Sequence, residues 1–365
     1  MKKILNFLKK DILLTIAAFL AVISAFIVPP DKEYISYINL PVLVLLYCLM
    51  VVVAGLDEGC VFELLKQKLQ SKIKSEKTLM VSLCTVCFFA SALITNDVAL
   101  ITFVPFSIAM MKKQKPSSVI FLVVMETIAA NLGSLITPIG NPQNLYLYTN
   151  YEMNIGEFFK ITLPLGLVCA LMISVALIIR KNAPLDYETN QENIKLSKKN
   201  VAVFSALFVL CILSVLDIVS CYITLVAVIL VTAIVDRKLI LKADFILLIT
   251  FVFFFIFAGN IARIPAIYDF IKSALSKNEV AVSAMISQVV SNVPAAAMLS
   301  AFTDNAKALV LGTNIGGLGT LIASMASLIS YRFVAKEEKL NKGKYILVFT
   351  LYNVLMLIIL ILLFA

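Results

Sequence analysis

Apolar stretches at 12–28, 40–55, 158–179, 201–216, 222–235, 245–262 and 345–363 read as bilayer-crossing helices. Two further apolar stretches are broken at their centres. Thr95-Asn96-Asp97 interrupts 79–111, and Ser291-Asn292 interrupts 280–303. Each is followed by a stretch too long and too broken for one helix: 118–148, with Gly133, Pro138, Gly140 and Pro142, and 306–331. Over 131–145 and 314–328 the same residue stands at six of fifteen aligned positions. The pattern predicts one design used twice, a polar-tipped helical hairpin and then a broken helix. Such backbone is tolerated at membrane depth only where protein or a water-filled cavity surrounds it. The stretches 56–77 and 263–278 are amphipathic and are predicted to lie along the membrane surface.

The domain organisation follows. An N-terminal repeat covers 1–180, a cytoplasmic linker and connecting helix 181–220, and a C-terminal repeat 221–365. A basic stretch at 1–10 precedes the first apolar run, and membrane sequence continues after it, so an uncleaved first helix is expected rather than a signal peptide.

Composition fixes the class. With 61% hydrophobic and 15% charged residues, the chain is an all-α, polytopic helical membrane protein. The net charge of +9 does not point to nucleic acid, because the basic residues sit in short segments between apolar runs. With the N-terminus placed in the cytoplasm, the inner segments carry 25 Lys and Arg and the outer ones 6. This orients the chain in the cell membrane with an external C-terminus. It puts the first hairpin on the cytoplasmic side and the second outside, so the two copies are inverted. Inverted repeats with interrupted helices are the signature of secondary transporters, whose sites lie near the midplane.

The polar breaks supply the candidate chemistry. Half-helix N-termini favour anionic groups, and Asn, Ser and Thr oxygens with unwound carbonyls favour Na⁺. Candidate substrate residues are Asn96, Asp97, Ser134, Ser291, Asn292 and Thr320. Candidate cation residues are Thr95, Asn96, Asp97, Asn131, Gly133, Asn292, Asn314 and Gly316. Asp97 reads as a Na⁺ ligand, a proton carrier or a helix N-cap. Glu126 reads as a second proton-coupling carboxylate or as a group facing a cytoplasmic vestibule. Cys84 and Cys87 form a CxxC, but there is no second Cys pair and no His, so no metal centre is expected. The glycines at 312, 316, 317 and 319 miss the GxGxxG spacing of a phosphate loop, and HExxH and GxSxG are absent, so no enzyme machinery is visible. No cofactor is expected beyond a coupling Na⁺ or H⁺.

These residues resemble the ion transporter superfamily: the divalent anion/Na⁺ symporters, with the arsenite, citrate and NhaD-like Na⁺/H⁺ branches. The resemblance covers essentially the whole chain. Thr95-Asn96-Asp97 and Ser291-Asn292-Val293 stand where the family has Ser-Asn-Thr-type hairpin tips, and Gly133 through Gly140-Asn141-Pro142-Gln143-Asn144 stands for the first broken helix. Neither tip keeps the family's Thr. The resemblance implies that tip and turn hold a coupling cation, that the tips hold substrate carboxylates, and that the protein is a homodimer working by an elevator motion. The expected function is cation-coupled transport of a small anion such as a di- or tricarboxylate. Na⁺/H⁺ antiport and arsenite-type oxyanion efflux are the alternatives, and a passive channel is the reading from another class.

Overall fold

A computed structural model describes residues 12–64, 67, 73, 75–184 and 197–365. The basic segment 1–10, part of the surface piece 56–77 and most of the linker 180–200 lie outside these residues. The described chain is helical, and its one β-bridge joins Ser75 to Pro184. Among the described residues, seven helices are long and apolar enough to cross a membrane.

In chain order the helices are α1 (Ile12–Ile27), α2 (Glu33–Tyr37), α3 (Leu40–Glu58), α4 (Glu76–Ile94), α5 (Asn96–Met110), α6 (Pro116–Ser134), α7 (Pro142–Asn150), α8 (Ile155–Ile178) and α9 (Lys198–Val215). They continue as α10 (Cys221–Asp236), α11 (Phe245–Ala262), α12 (Pro265–Leu275), α13 (Glu279–Val290), α14 (Asn292–Leu299), α15 (Ala306–Ile315), α16 (Met325–Lys336) and α17 (Lys342–Phe364). The pairs α4–α5 and α13–α14 form the hairpins. The pairs α6–α7 and α15–α16 are the broken helices.

Two apolar cores organise the molecule. One surrounds α6, with α4, α5, α8, α16 and α17 against it. Every residue of α6 from Val119 to Ser134 is buried. The other joins α3, α9, α10 and α11 to α7 and α14. Lipid offers no apolar driving force between helices, so close packing and hydrogen bonds must hold them together. Gly133 supplies one such approach, because a Cβ there would fall 2.0 Å from the Phe88 carbonyl oxygen of α4. Gly316 supplies the matching approach of α15 to α13, where a Cβ would meet Ser287 Cβ at 2.7 Å and Ala284 Cα at 2.8 Å.

Polar ties secure the ends. Asn260 of α11 donates to Ser24 Oγ (3.0 Å) and Tyr34 Oη (2.8 Å). Arg263 binds Asp31 at 2.7 Å and reaches Glu33 at 3.4 Å. The guanidinium's hydrogen bond holds the Asp31 carboxyl below its usual range. Lys242 pairs with Glu58 at the other end of α3. All seven cysteines are free thiols, so Cys84 and Cys87 form no disulfide.

Candidate functional site

Both hairpins break at a single residue in the same conformation. Thr95 has φ +77°, ψ 150°, and Ser291 has φ +76°, ψ 152°. This region is nearly reserved for glycine and costs about 1–3 kcal/mol. The surrounding hydrogen bonds over-determine it. The next amide is received by the broken helix, with Asn96 N–H donating to Gly140 O (3.1 Å) and Asn292 N–H to Ala323 O (2.9 Å). Each Asn side chain then accepts from the following amide, Asp97 N–H and Val293 N–H, both at 3.0 Å. Thr137 and Thr320 repeat the pattern one step away, donating to the carbonyls of Ala92 and Gln288.

The two units are also tied to each other, crosswise. Asn131 of α6 accepts from Ser324 Oγ (3.0 Å) and Asn96 Nδ2 (3.1 Å), and donates to Ser327 Oγ (3.4 Å). Asn314 of α15 accepts from Asn141 Nδ2 (3.0 Å) and donates to Asn144 Oδ1 (2.5 Å). In the alignment of 131–145 with 314–328, Ser324 and Ser327 occupy the places of Asn141 and Asn144. Each turn asparagine therefore grips the same two positions of the opposite broken helix.

Between these ties lies a cavity of ≈ 10 Å³, about one water-sized sphere. The first residues of α5 (Asn96, Asp97), α7 (Pro142, Gln143) and α14 (Asn292, Val293) line it, as do Ser324 and Met325 at the start of α16 and Leu247 of α11. Four helix N-termini thus converge on one point. Each carries up to roughly +0.5 charge, although the leading amides of α5 and α14 are themselves hydrogen-bonded. Among the described residues no lysine or arginine lines the cavity. Asp97 Oδ1 and Gln143 Oε1 are buried without a hydrogen-bond partner. A buried acceptor in that condition costs about 1–3 kcal/mol.

Of the residues predicted from sequence, Asn96, Asp97 and Asn292 line the cavity. Thr95 and Ser291 supply the strained backbone of the tips. Asp97 is not the N-cap, since that position belongs to Thr95. Ser134 is fully buried beneath the turn, accepting from Asn141 and donating to Asn131 O. Thr320 is exposed and fastens its turn to Gln288. Gly133 and Gly316 act as close-approach points, and Asn131 and Asn314 as the crosswise ties. Glu126 faces no vestibule: it is 0% exposed. Sequence reasoning missed Gln143 and Ser324. Gln143 follows a helix-starting Pro directly after an Asn cap, which was its available signal.

Comparison with known proteins gives the family. A family model described as a citrate transporter matches residues 4–308. An uncharacterized transporter of Methanocaldococcus jannaschii is 31% identical over 87% of this chain and 86% of its own length. An inner membrane protein of Escherichia coli is 29% identical over 85% of this chain and 84% of its own. A silicon efflux transporter of Oryza sativa is 35% identical over 38% of this chain and 28% of its own. Broken helices, a converged polar cavity and these likenesses lead to one assignment: the chain belongs to the citrate transporter family of the ion transporter superfamily, and it is a multi-pass membrane transporter rather than an enzyme.

Proposed function

We propose that this protein is a cation-coupled secondary transporter of a small anion, working by alternating access at the cavity between the two hairpin tips. The convergence of four helix N-termini carries this reading. Their summed partial charge suits an anion, and no basic side chain stands there to do it instead. Asp97 and the Asn96 amide, with the nearby carbonyls of the tip and turn, form the cation side of the site. The unpaired oxygens of Asp97 and Gln143 are acceptors that a Na⁺ or a proton would satisfy.

Charge arithmetic bears on the substrate. Four N-termini at roughly +0.5 each oppose one carboxylate, which leaves about +1 as an upper figure. That balance suits a singly charged anion, or a di- or tricarboxylate that arrives with its cation. One observation favours a second reading. A carboxylate at the tip, together with the likeness to a silicon efflux transporter, fits export of a small hydroxylated metalloid acid. We place the N-terminus in the cytoplasm and the C-terminus outside on the strength of the Lys and Arg bias. The two hairpin-and-turn units act as inverted repeats, in a homodimer that moves as an elevator.

The test is uptake of labelled citrate, succinate and arsenite into sealed proteoliposomes, under an imposed Na⁺ gradient and then a proton gradient. Uphill movement that follows one gradient and is lost in Asp97→Asn is expected. Wild-type rates in Asp97→Asn, or flux that no gradient drives, would overturn the proposal.

A further inference from the structure

A second carboxyl group lies wholly inside the protein, apart from the cavity. Glu126 sits on α6 about 15 Å from the helix start by helical rise. It lies about one and a half turns before Asn131. It is fully buried where the two arms of the first hairpin press on α6. Its Oε1 contacts Ser107 Oγ of α5, and Cys87 Sγ of α4 lies 4.0 Å away. Its Oε2 has no hydrogen-bond partner. The titratable groups facing it are Cys84 and Cys87 of α4 and Tyr345 of α17. Among the described residues no lysine, arginine or second carboxylate faces it from any packed helix.

Hydrogen-bond accounting at Ser107 fixes the proton. Ser107 Oγ contacts Phe103 O at 3.0 Å as well as Glu126 Oε1. One hydroxyl proton cannot serve two acceptors. A neutral Glu126 that donates from Oε1 to Ser107, with Ser107 donating onward to Phe103 O, gives both contacts of Ser107 a proton and leaves only the uncharged carbonyl Oε2 without a partner. An ionised Glu126 would leave a full charge buried with no cation and one oxygen bare, which is far costlier.

A cleft of ≈ 340 Å³ opens between the α5–α6 turn and the α16–α17 loop, and its inner wall includes Ile108 and Val119. Ile108 adjoins Ser107 in sequence, and Glu337 and Glu338 stand at the mouth among lysines.

We propose that Glu126 is a second ion site of the transporter, one for a proton held between the first hairpin and α6. The step is a simple dissociation. The O–H bond of Glu126 breaks, its electron pair stays on the carboxylate, and the proton passes by Ser107 to water. The Ser107 hydroxyl then turns from Phe103 O to the carboxylate. This deepens the transporter reading and rests on it for its meaning, although its test does not.

The test is infrared spectroscopy of the purified protein in lipid as pH is raised, with no substrate present. Wild type should show the carbonyl band of a protonated carboxylic acid, fading at alkaline pH. Glu126→Gln should lose the band, and Asp97→Asn should keep it. Ser107→Ala should shift the band to higher frequency, so the outcome does not depend on one variant folding. A band unaltered in both Glu126→Gln and Ser107→Ala, or no protonated-acid band in wild type, would overturn the proposal. Because no transport is measured, failure here is distinct from normal transport in Asp97→Asn, which would instead overturn the function proposed above.

Discussion

The two hairpin-and-turn units share a backbone and differ in chemistry. The tips have the same dihedral angles, the same amide-to-turn hydrogen bond and the same glycine approach. Yet where the first tip places Asp97, the second places Val293, and where α7 brings Gln143, the aligned residue of α16 is Ala326. Geometry was kept on both sides, and ionisable and hydrogen-bonding groups were concentrated on one. The shared backbone supplies four converging N-termini. On the function proposed above, the unequal side chains would decide where a cation sits.

The largest expected effect tests the shared part. Gly133→Ala forces a Cβ to within 2.0 Å of a backbone oxygen, so two helices must separate. The expected cost exceeds about 4 kcal/mol, and little folded protein should be recovered. Gly316→Ala meets a serine side chain and a Cα at 2.7–2.8 Å, so it should fold with a lowered melting temperature. Size-exclusion yield after graded heating separates the two. Equal tolerance would mean that the two approaches are equally tight.

Next comes the unequal part. Asp97→Asn should reduce gradient-driven flux at least about tenfold, the factor that 1.4 kcal/mol represents. Val293→Asn, at the matching place, should leave coupling in force. Flux measured with and without the gradient in both variants decides it. Equal losses would make the tips functionally alike.

The crosswise ties should matter less, and to similar degrees. Asn131→Ala and Asn314→Ala each strand buried partners at about 1–3 kcal/mol. The Asn314 variant should be the worse, since its bonds of 2.5 and 3.0 Å are closer than the Asn131 set of 3.0 to 3.4 Å. Thermal unfolding in detergent would rank them. If Asn131→Ala melted lower, bond length would be the wrong guide to these ties.

Much of this architecture is legible in the residue pattern. Thr95-Asn96-Asp97 and Ser291-Asn292 are polar groups that cannot rest inside an apolar helix, and they mark the breaks where the chain turns. Asn131 and Asn314 betray the second breaks by standing at matched places. What the pattern does not carry is distance. Ser134 and Thr320 are polar residues in the same turns as the site, yet one lies beneath its turn and the other outside. Gln143 reaches the cavity only because α7 begins at Pro142, and Ser324 only because α16 begins beside it. The partnership of Glu126 with Ser107 joins two helices whose register no local pattern encodes.

The smallest effect probes how each turn is held. In the first, Asn144 donates from inside the broken helix to Leu135 O (3.0 Å) and Thr137 O (3.1 Å). In the second, Gln288 reaches from the hairpin, donating to Gly316 O and Leu318 O at 2.9 Å and accepting from Thr320 N–H at 2.9 Å. The amide side chain thus staples the first turn to itself and the second to its hairpin. Gln288 lies in a partly buried setting where water can replace some of its bonds, so Gln288→Ala should cost only about 1 kcal/mol. Its mark should be in hydrogen exchange, with faster exchange in both the turn at 316–323 and the hairpin arm α13. Asn144→Ala should speed exchange in its own turn at 135–140 and leave α4 protected. If Gln288→Ala also left its hairpin arm protected, the second turn would be as self-contained as the first.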